Sequence, residues 1–174
     1  MSQRNSGYER LLNDAYSTPA WVTEALIPHL LASHCRVWEC AAGSGQMVEA
    51  LRHAGYTVTA TDITDGQDFL TTEPGTSFLG IVTNPPYELA TEFIERALRL
   101  VPSDGFVAML LRCDFDHAVS RQHLFGNCAV FAKKVVLRRR IRWFEDWRAS
   151  PSFNHAWFVW SRRHQGPPTI AYAP

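Results

Sequence analysis

The chain has 174 residues, 46% of them hydrophobic and 20% charged, with a formal net charge of zero. That is the make-up of one globular domain large enough for a full core. No apolar run reaches membrane-spanning length, and Met1 to Glu9 is polar with no signal-peptide core. The four cysteines (Cys35, Cys40, Cys113, Cys128) stand apart without zinc-type spacing. The expectation is a cytoplasmic protein with reduced thiols, no membrane association and no metal site.

The charge is unevenly placed. Met1 to Leu111 carries 6 Lys/Arg against 13 Asp/Glu, a balance of −7, and Arg112 to Pro174 carries 11 against 4, a balance of +7. Such asymmetry suits a face for a polyanion, or merely two unlike surfaces.

Residues 1–14 read as a loose polar segment, 15–163 as the folded domain and 164–174 as a tail. In Tyr16-Ser17-Thr18-Pro19, Ser17 or Thr18 is a good N-cap and Pro19 suits the first helical position. Trp21, Ala25, Leu26 and Leu30 mark a helical face that Pro28 should kink. Arg36 to Cys40 is the first strand, Ala41 to Gly45 a tight glycine loop, and Gln46 to Ala54 a helix. Two glycines let the backbone pass close to a ligand at a helix N-terminus. The third glycine of the dinucleotide fingerprint is missing, which argues against NAD.

Tyr56 to Asp62 alternates and ends in an acid about 20 residues past the loop, where nucleotide-binding sheets hold a ribose diol. Phe78 to Thr83 is a buried strand, and Glu88 to Leu100 a helix with Leu89, Phe93, Ala97 and Leu98 at helical spacing. Between them, Asn84-Pro85-Pro86-Tyr87 occupies a strand-to-helix turn, the ligand edge of an open α/β sheet. The prolines stiffen it. Asn84 and the proline carbonyls supply acceptors and Tyr87 a flat ring, a set that suits a planar group bearing NH2.

Phe106 to Leu111 is a further buried strand. Asp114 and Phe115 follow at the same sheet edge, where Asp114 either lines a cleft or caps a helix expected over Asp116 to Phe125. On that helix His117 and His123 read as surface residues. Val130 to Arg142 starts as a strand and turns basic (Lys133, Lys134, Arg138, Arg139, Arg140, Arg142), with Trp143, Phe144 and Trp147 interleaved. Cations beside aromatics suit a single-stranded nucleic acid or an extruded base, although a charged strand edge also prevents aggregation. Ser152 to Trp160 is the last strand expected, antiparallel to the basic one.

In this order the stretches resemble the S-adenosylmethionine-dependent amino methyltransferases, above all the N6-adenine methylases of nucleic acids, over roughly Tyr16 to Trp160. Asn-Pro-Pro-Tyr after a strand is their hallmark. The resemblance implies a class I methyltransferase (Rossmann-like) α/β sandwich. Its seven-stranded sheet would be mostly parallel with an antiparallel last strand. The implied cofactor is S-adenosylmethionine and the implied partner nucleic acid, DNA ahead of RNA.

Tyr16, Thr18 and Pro19 would then line the methionine end of the cofactor. Glu39 would receive its ammonium group above the Ala41, Gly43 and Gly45 loop. Asp62 would hold the ribose, Ile63 and Phe69 would flank the adenine ring, and Asp68 would read its amino group. Asn84, Pro85, Pro86 and Tyr87 would hold the target amine beside the methyl donor. Phe153, or failing that Trp147, would close on the base, with Asp114, Arg139, Arg140 and Arg142 along the substrate path.

No stretch is long enough for a separate target-recognition region, so site choice would need the basic hairpin, a homodimer or an accessory partner. Two other functions share the residues: glutamine methylation of a protein, and a non-catalytic binding module.

Overall fold

The computed structural model describes residues 17–30, 34–143 and 153–173. Its strands are β1 (Arg36–Glu39), β2 (Thr57–Ala60), β3 (Gly80–Thr83), β4 (Phe106–Arg112), β5 (Phe131–Leu137), β6 (His155–Ser161) and β7 (Thr169–Ala173). They form one sheet in the order β2-β1-β3-β4-β6-β5-β7. Pairing is parallel throughout except at β6, which runs antiparallel to both β4 and β5. The helices among the described residues are α1 (Ala20–Glu24), α2 (Gln46–His53) and α3 (Ala90–Leu100).

The strand pattern explains the layers. A strand buried on both faces reads as a continuous apolar run, because alternate side chains enter opposite cores. Thus Trp38, Ile81, Val107, Met109, Leu111, Phe158 and Trp160 enter one core, and α3 covers it with Ala90, Phe93, Ile94 and Ala97. Val37, Val82, Ala108, Leu110, Trp157 and Val159 enter the other, covered by Val22 and Leu26 from the α1 region and by Met47 and Leu51 of α2. Two buried indoles fasten the layers: Trp157 Nε1 donates to the Val22 carbonyl at 2.8 Å, and Trp160 Nε1 to the Leu124 carbonyl at 2.7 Å. Gly80 faces Phe106 in the β3–β4 register, and a Cβ there would overlap the Phe106 ring.

The architecture agrees with the expected mixed α/β sheet, and β6 is the antiparallel strand foreseen. It is not the last in sequence. Residues 169–173, placed in the tail, pair with β5 from Lys133↔Thr169 to Leu137↔Ala173. Ile170 and Tyr172 of this edge strand remain 64% and 68% exposed, so no buried apolar run announced it. The expected helix over Asp116 to Phe125 is instead two 3-10 segments, Phe115–His117 and Val119–Leu124, and Leu89 lies outside the buried face of α3 at 41% exposure. His117 and His123 are exposed as expected, each beside a carboxylate, Asp116 and Glu95. No helix among the described residues is long and apolar enough to cross a membrane.

Candidate active site

The C-terminal ends of the parallel strands bring the residues singled out from the sequence to one edge of the sheet. At the end of β1, Glu39 is 1% exposed. Its Oε1 accepts from the Ala41 amide at 3.0 Å and from the Thr83 hydroxyl at 2.6 Å. Its Oε2 is buried with no hydrogen-bond partner among the described residues. Burial raises its pKa to about 8, against the opposing pull of the Thr83 and Ala41 hydrogen bonds.

The loop after Glu39 turns through Gly43 (φ +49°) and Gly45 (φ +82°), the left-handed region that glycine enters without strain. No atom lies within 4 Å of where a Cβ on either would point, so the loop presents bare backbone to open space. Asp62 closes the loop from the β2 side: its Oδ2 accepts from the Gly43 amide at 2.8 Å, and its Oδ1 from the Thr64 amide and hydroxyl. Burial pushes the Asp62 pKa up, but the Thr64 and Gly43 donors outweigh it and the net shift is downward. Ile63 beside it is 54% exposed, an apolar side chain left uncovered at the same edge.

Asp68 accepts from the Leu70 amide at 2.9 Å and shapes its own turn. Phe69, expected beside a bound ring, is 2% exposed and packs against Trp38 at 5.2 Å and Phe93 at 4.8 Å between centroids. Its ring belongs to the core beneath the loop.

At the end of β3 the corner carries the other half of the site. Asn84 Nδ2 donates to Thr18 Oγ1 at 3.2 Å, which leaves Asn84 Oδ1 buried without a partner among the described residues. Thr18 is therefore not the helix cap that was expected: no side chain caps α1, and the 5%-exposed hydroxyl serves Asn84. Ser17 Oγ lies 2.7 Å from Ser44 Oγ, so the segment before α1 is joined to both the glycine loop and the corner, with Pro19 between it and the helix. Pro85 is buried, and the Pro86 carbonyl already accepts from the Leu89 amide at 3.0 Å, closing the 3-10 turn Tyr87–Leu89. The Tyr87 ring stacks on His155, centroids 5.9 Å apart and planes at 26°.

The basic side lies at the ends of β4 and β5 and the start of β6. Arg112 makes a two-pronged pair with Asp114 (3.1 and 2.8 Å) and lies 4.1 Å over the Phe153 ring. Asp114 is thus held by Arg112 and caps nothing by side chain. Arg139 stacks on Trp21 at 4.6 Å, Arg140 donates to Asn154 Oδ1 at 2.9 Å, and Arg142 is exposed. Lys134, counted in the basic run, is engaged inward by both Asp116 oxygens and the Cys113 carbonyl. Tyr16 and Trp147 lie outside the described residues.

Neither a family model nor a curated protein sequence matches the chain. Solved structures do. A type I restriction-modification methyltransferase subunit from Streptococcus thermophilus superimposes with a TM-score of 0.61 at 14% identity, over 91% of this chain and 47% of that one. A chain described as a class I S-adenosylmethionine-dependent methyltransferase from Listeria monocytogenes gives 0.57 at 12%, over 88% and 62%. A Burkholderia thailandensis N1-methyltransferase with bound S-adenosylhomocysteine gives 0.53 at 11%, over 80% and 76%. The chain has the class I methyltransferase fold. It spans less than two thirds of the first two structures.

Three residues of the site were not singled out from the sequence. Thr83 is a hydroxyl in an otherwise apolar strand, and its position next to Asn84 was the available signal. Arg112 ends β4 and holds both Asp114 and Phe153. His155, 2% exposed, begins β6 and carries no local pattern that marks it.

Proposed function

We propose that this protein transfers a methyl group from S-adenosylmethionine to the exocyclic N6 amino group of adenine in nucleic acid, DNA ahead of RNA. The observation that carries the reading is the buried, partnerless Oδ1 of Asn84 on a proline-stiffened corner next to Thr83, the hydroxyl that binds Glu39. Leaving a buried acceptor unmet costs about 1–3 kcal/mol. An N–H from a bound amine supplies what it lacks.

The chain's residues fit the cofactor on the same ground. Glu39 Oε2 is buried without a partner among the described residues, and once its proton is lost it is suited to receive an ammonium group. The bare turn at Gly43 and Gly45 admits close approach, Asp62 offers a low-pKa carboxylate for hydroxyls, and Ile63 offers an exposed apolar surface for a ring. Bound there, the sulfonium compound supplies an electrophilic methyl group.

Asn84 does the work on the acceptor side. An aromatic amine is a weak nucleophile because its lone pair is delocalised into the ring. By accepting one N–H, Asn84 Oδ1 turns the nitrogen toward sp3 geometry and frees the lone pair for attack. The Pro85 carbonyl takes the second N–H, and Thr18 fixes the Asn84 amide so that the oxygen, not the nitrogen, faces the amine. With a methyl group delivered from a cofactor held there, the nitrogen would have one proton to lose. An amide oxygen cannot keep it, so it passes to water. Most of the acceleration comes from positioning. The exposed cations Arg139, Arg140 and Arg142, with Trp21 among them, suit a polyanion, and one structural neighbour is named as a restriction-modification methyltransferase subunit.

The test is transfer of a labelled methyl group to DNA, RNA and protein pools. Label in adenine N6 supports the reading, and label in protein glutamine redirects it. Asn84→Ala should abolish transfer and leave cofactor affinity within about twofold, since only one of the cofactor's expected neighbours is touched.

A further inference from the structure

Thr83 is the polar end of an otherwise apolar strand. β3 is buried along its whole length, and Thr83 is 0% exposed. Its backbone is held in register with Met109 of β4, and a β-branched side chain has few rotamers to choose from. The hydroxyl donates to Glu39 Oε1 at 2.6 Å, across 44 positions of sequence. A hydroxyl taken out of water needs such a partner. Among the described residues the Glu39 carboxyl has one other donor, the Ala41 amide, and it too meets Oε1.

Two donors on one oxygen divide the carboxyl into unlike halves. Oε1 is filled, so the proton of neutral Glu39 resides on Oε2, the oxygen without a partner among the described residues. When that proton leaves, Oε2 is the oxygen whose lone pairs are free. Burial raises the Glu39 pKa to about 8; the Thr83 bond is the larger of the two hydrogen bonds that oppose the rise, and the Asp62 charge adds to it. Burial also pushes up the pKa of the neighbouring Cys40 thiol, so Cys40 brings no charge to the carboxyl.

Resting on the cofactor side of the reading above, we propose that Thr83 is a positioning residue for S-adenosylmethionine: its hydroxyl fixes the Glu39 carboxyl so that Oε2 is the oxygen presented to the ammonium group of the cofactor. Thr83 acts through Glu39.

Two ligands separate this role from simple packing. S-adenosylhomocysteine carries the ammonium group on its amino-acid end, and 5′-methylthioadenosine has the same adenosine and thioether without that end. Both are titrated calorimetrically into the parent and its variants at neutral pH. Thr83→Val keeps the shape and removes the hydroxyl. It should weaken S-adenosylhomocysteine about tenfold to a hundredfold, the size of a lost hydrogen bond to a charged group, and leave 5′-methylthioadenosine within about twofold. Thr83→Ser restores the hydroxyl and should stay within about threefold of the parent for both ligands. Equal losses for the two ligands in Thr83→Val would make the hydroxyl a structural element only and overturn the proposal. Undiminished S-adenosylhomocysteine binding would overturn it as well. Should Thr83→Val not fold, Thr83→Ala removes the same hydroxyl and is held to the same split.

Should the parent bind neither compound, the cofactor reading fails on its own. The hold of Thr83 on Glu39 is then decided without ligand, in urea melts over a series of pH values. Stability should stop falling at about pH 8 in the parent, where Glu39 has lost its proton. Without the Thr83 bond Glu39 keeps that proton to higher pH, so in Thr83→Val the fall should continue beyond that point. The same end point in both proteins would refute the role of the hydroxyl.

Discussion

The two sides of the site edge are built on opposite principles. At the ends of β1, β2 and β3 polar oxygens are left over: Glu39 Oε2 and Asn84 Oδ1 are buried without partners among the described residues, and Asp62 accepts from three donors. At the ends of β4 and β5 most cations are already met, Arg112 by Asp114 and Phe153, Arg139 by Trp21, Arg140 by Asn154 and Lys134 by Asp116, while Arg142 stays exposed. The first side carries a cost that a ligand relieves, so it should govern affinity and chemistry. The second offers charge at a surface mostly satisfied, so it should add attraction that is sensitive to salt and blind to sequence.

Glu39 gives the largest way to break this contrast. In the folded protein it keeps its proton up to about pH 8, whereas the ordinary value is 4.5. Between those values the native state holds more protons than the unfolded state, so the ligand-free protein should lose stability as pH rises through that window. The loss amounts to about 4–5 kcal/mol in all. Urea melts at a series of pH values should show that slope in the parent and a flat line in Glu39→Gln. S-adenosylmethionine should raise the melting temperature increasingly across the same window, and only in the parent.

Next in size is the joint between the two sides. Trp157 is fully buried in the sheet and holds α1, whose leading segment carries Thr18, through the Val22 carbonyl. Trp157→Ala should cost about 3–5 kcal/mol in a denaturant melt. If the joint matters to the site, Asn84 also loses its Thr18 anchor, and transfer should fall below what the residual folded fraction explains.

Gly45→Ala is smaller. With open space beside it, the substitution meets backbone strain alone, about 1–2 kcal/mol for a left-handed L-residue. A loss well beyond that would mean that the loop has less room than the structure shows.

The smallest effect sharpens the basic side. Arg142→Ala should reduce the slope of log affinity against log salt for single-stranded DNA by about 0.7, one phosphate contact. Lys134→Ala should leave the slope unchanged, because that ammonium is already held by Asp116. Equal slopes for the two variants would erase the distinction between free and engaged cations.

Reading along the chain was enough for the strand–loop–helix unit at Glu39 to His53, the acid after β2 and the Asn-Pro-Pro-Tyr corner. Each is a local matter of periodicity, glycine φ and proline stiffness, and local physics is written in consecutive residues. The buried runs at β3, β4 and β6 were legible for the same reason. Fully buried strands need apolar side chains on both faces.

Pairings between distant residues were decided only by the folded chain. Thr18 gave up its capping role because Asn84, 66 positions away, came within reach of its hydroxyl. Phe69 went to the core because Trp38 and Phe93 close over it. Strand β7 exists because β5 offered an open edge to a segment with little apolar pattern of its own. His155 came beside Tyr87 only because β6 pairs with β4 there. A side chain's hydrogen-bond partner and its stacking neighbour depend on which strand ends meet, and that is a property of the sheet order rather than of any window of sequence.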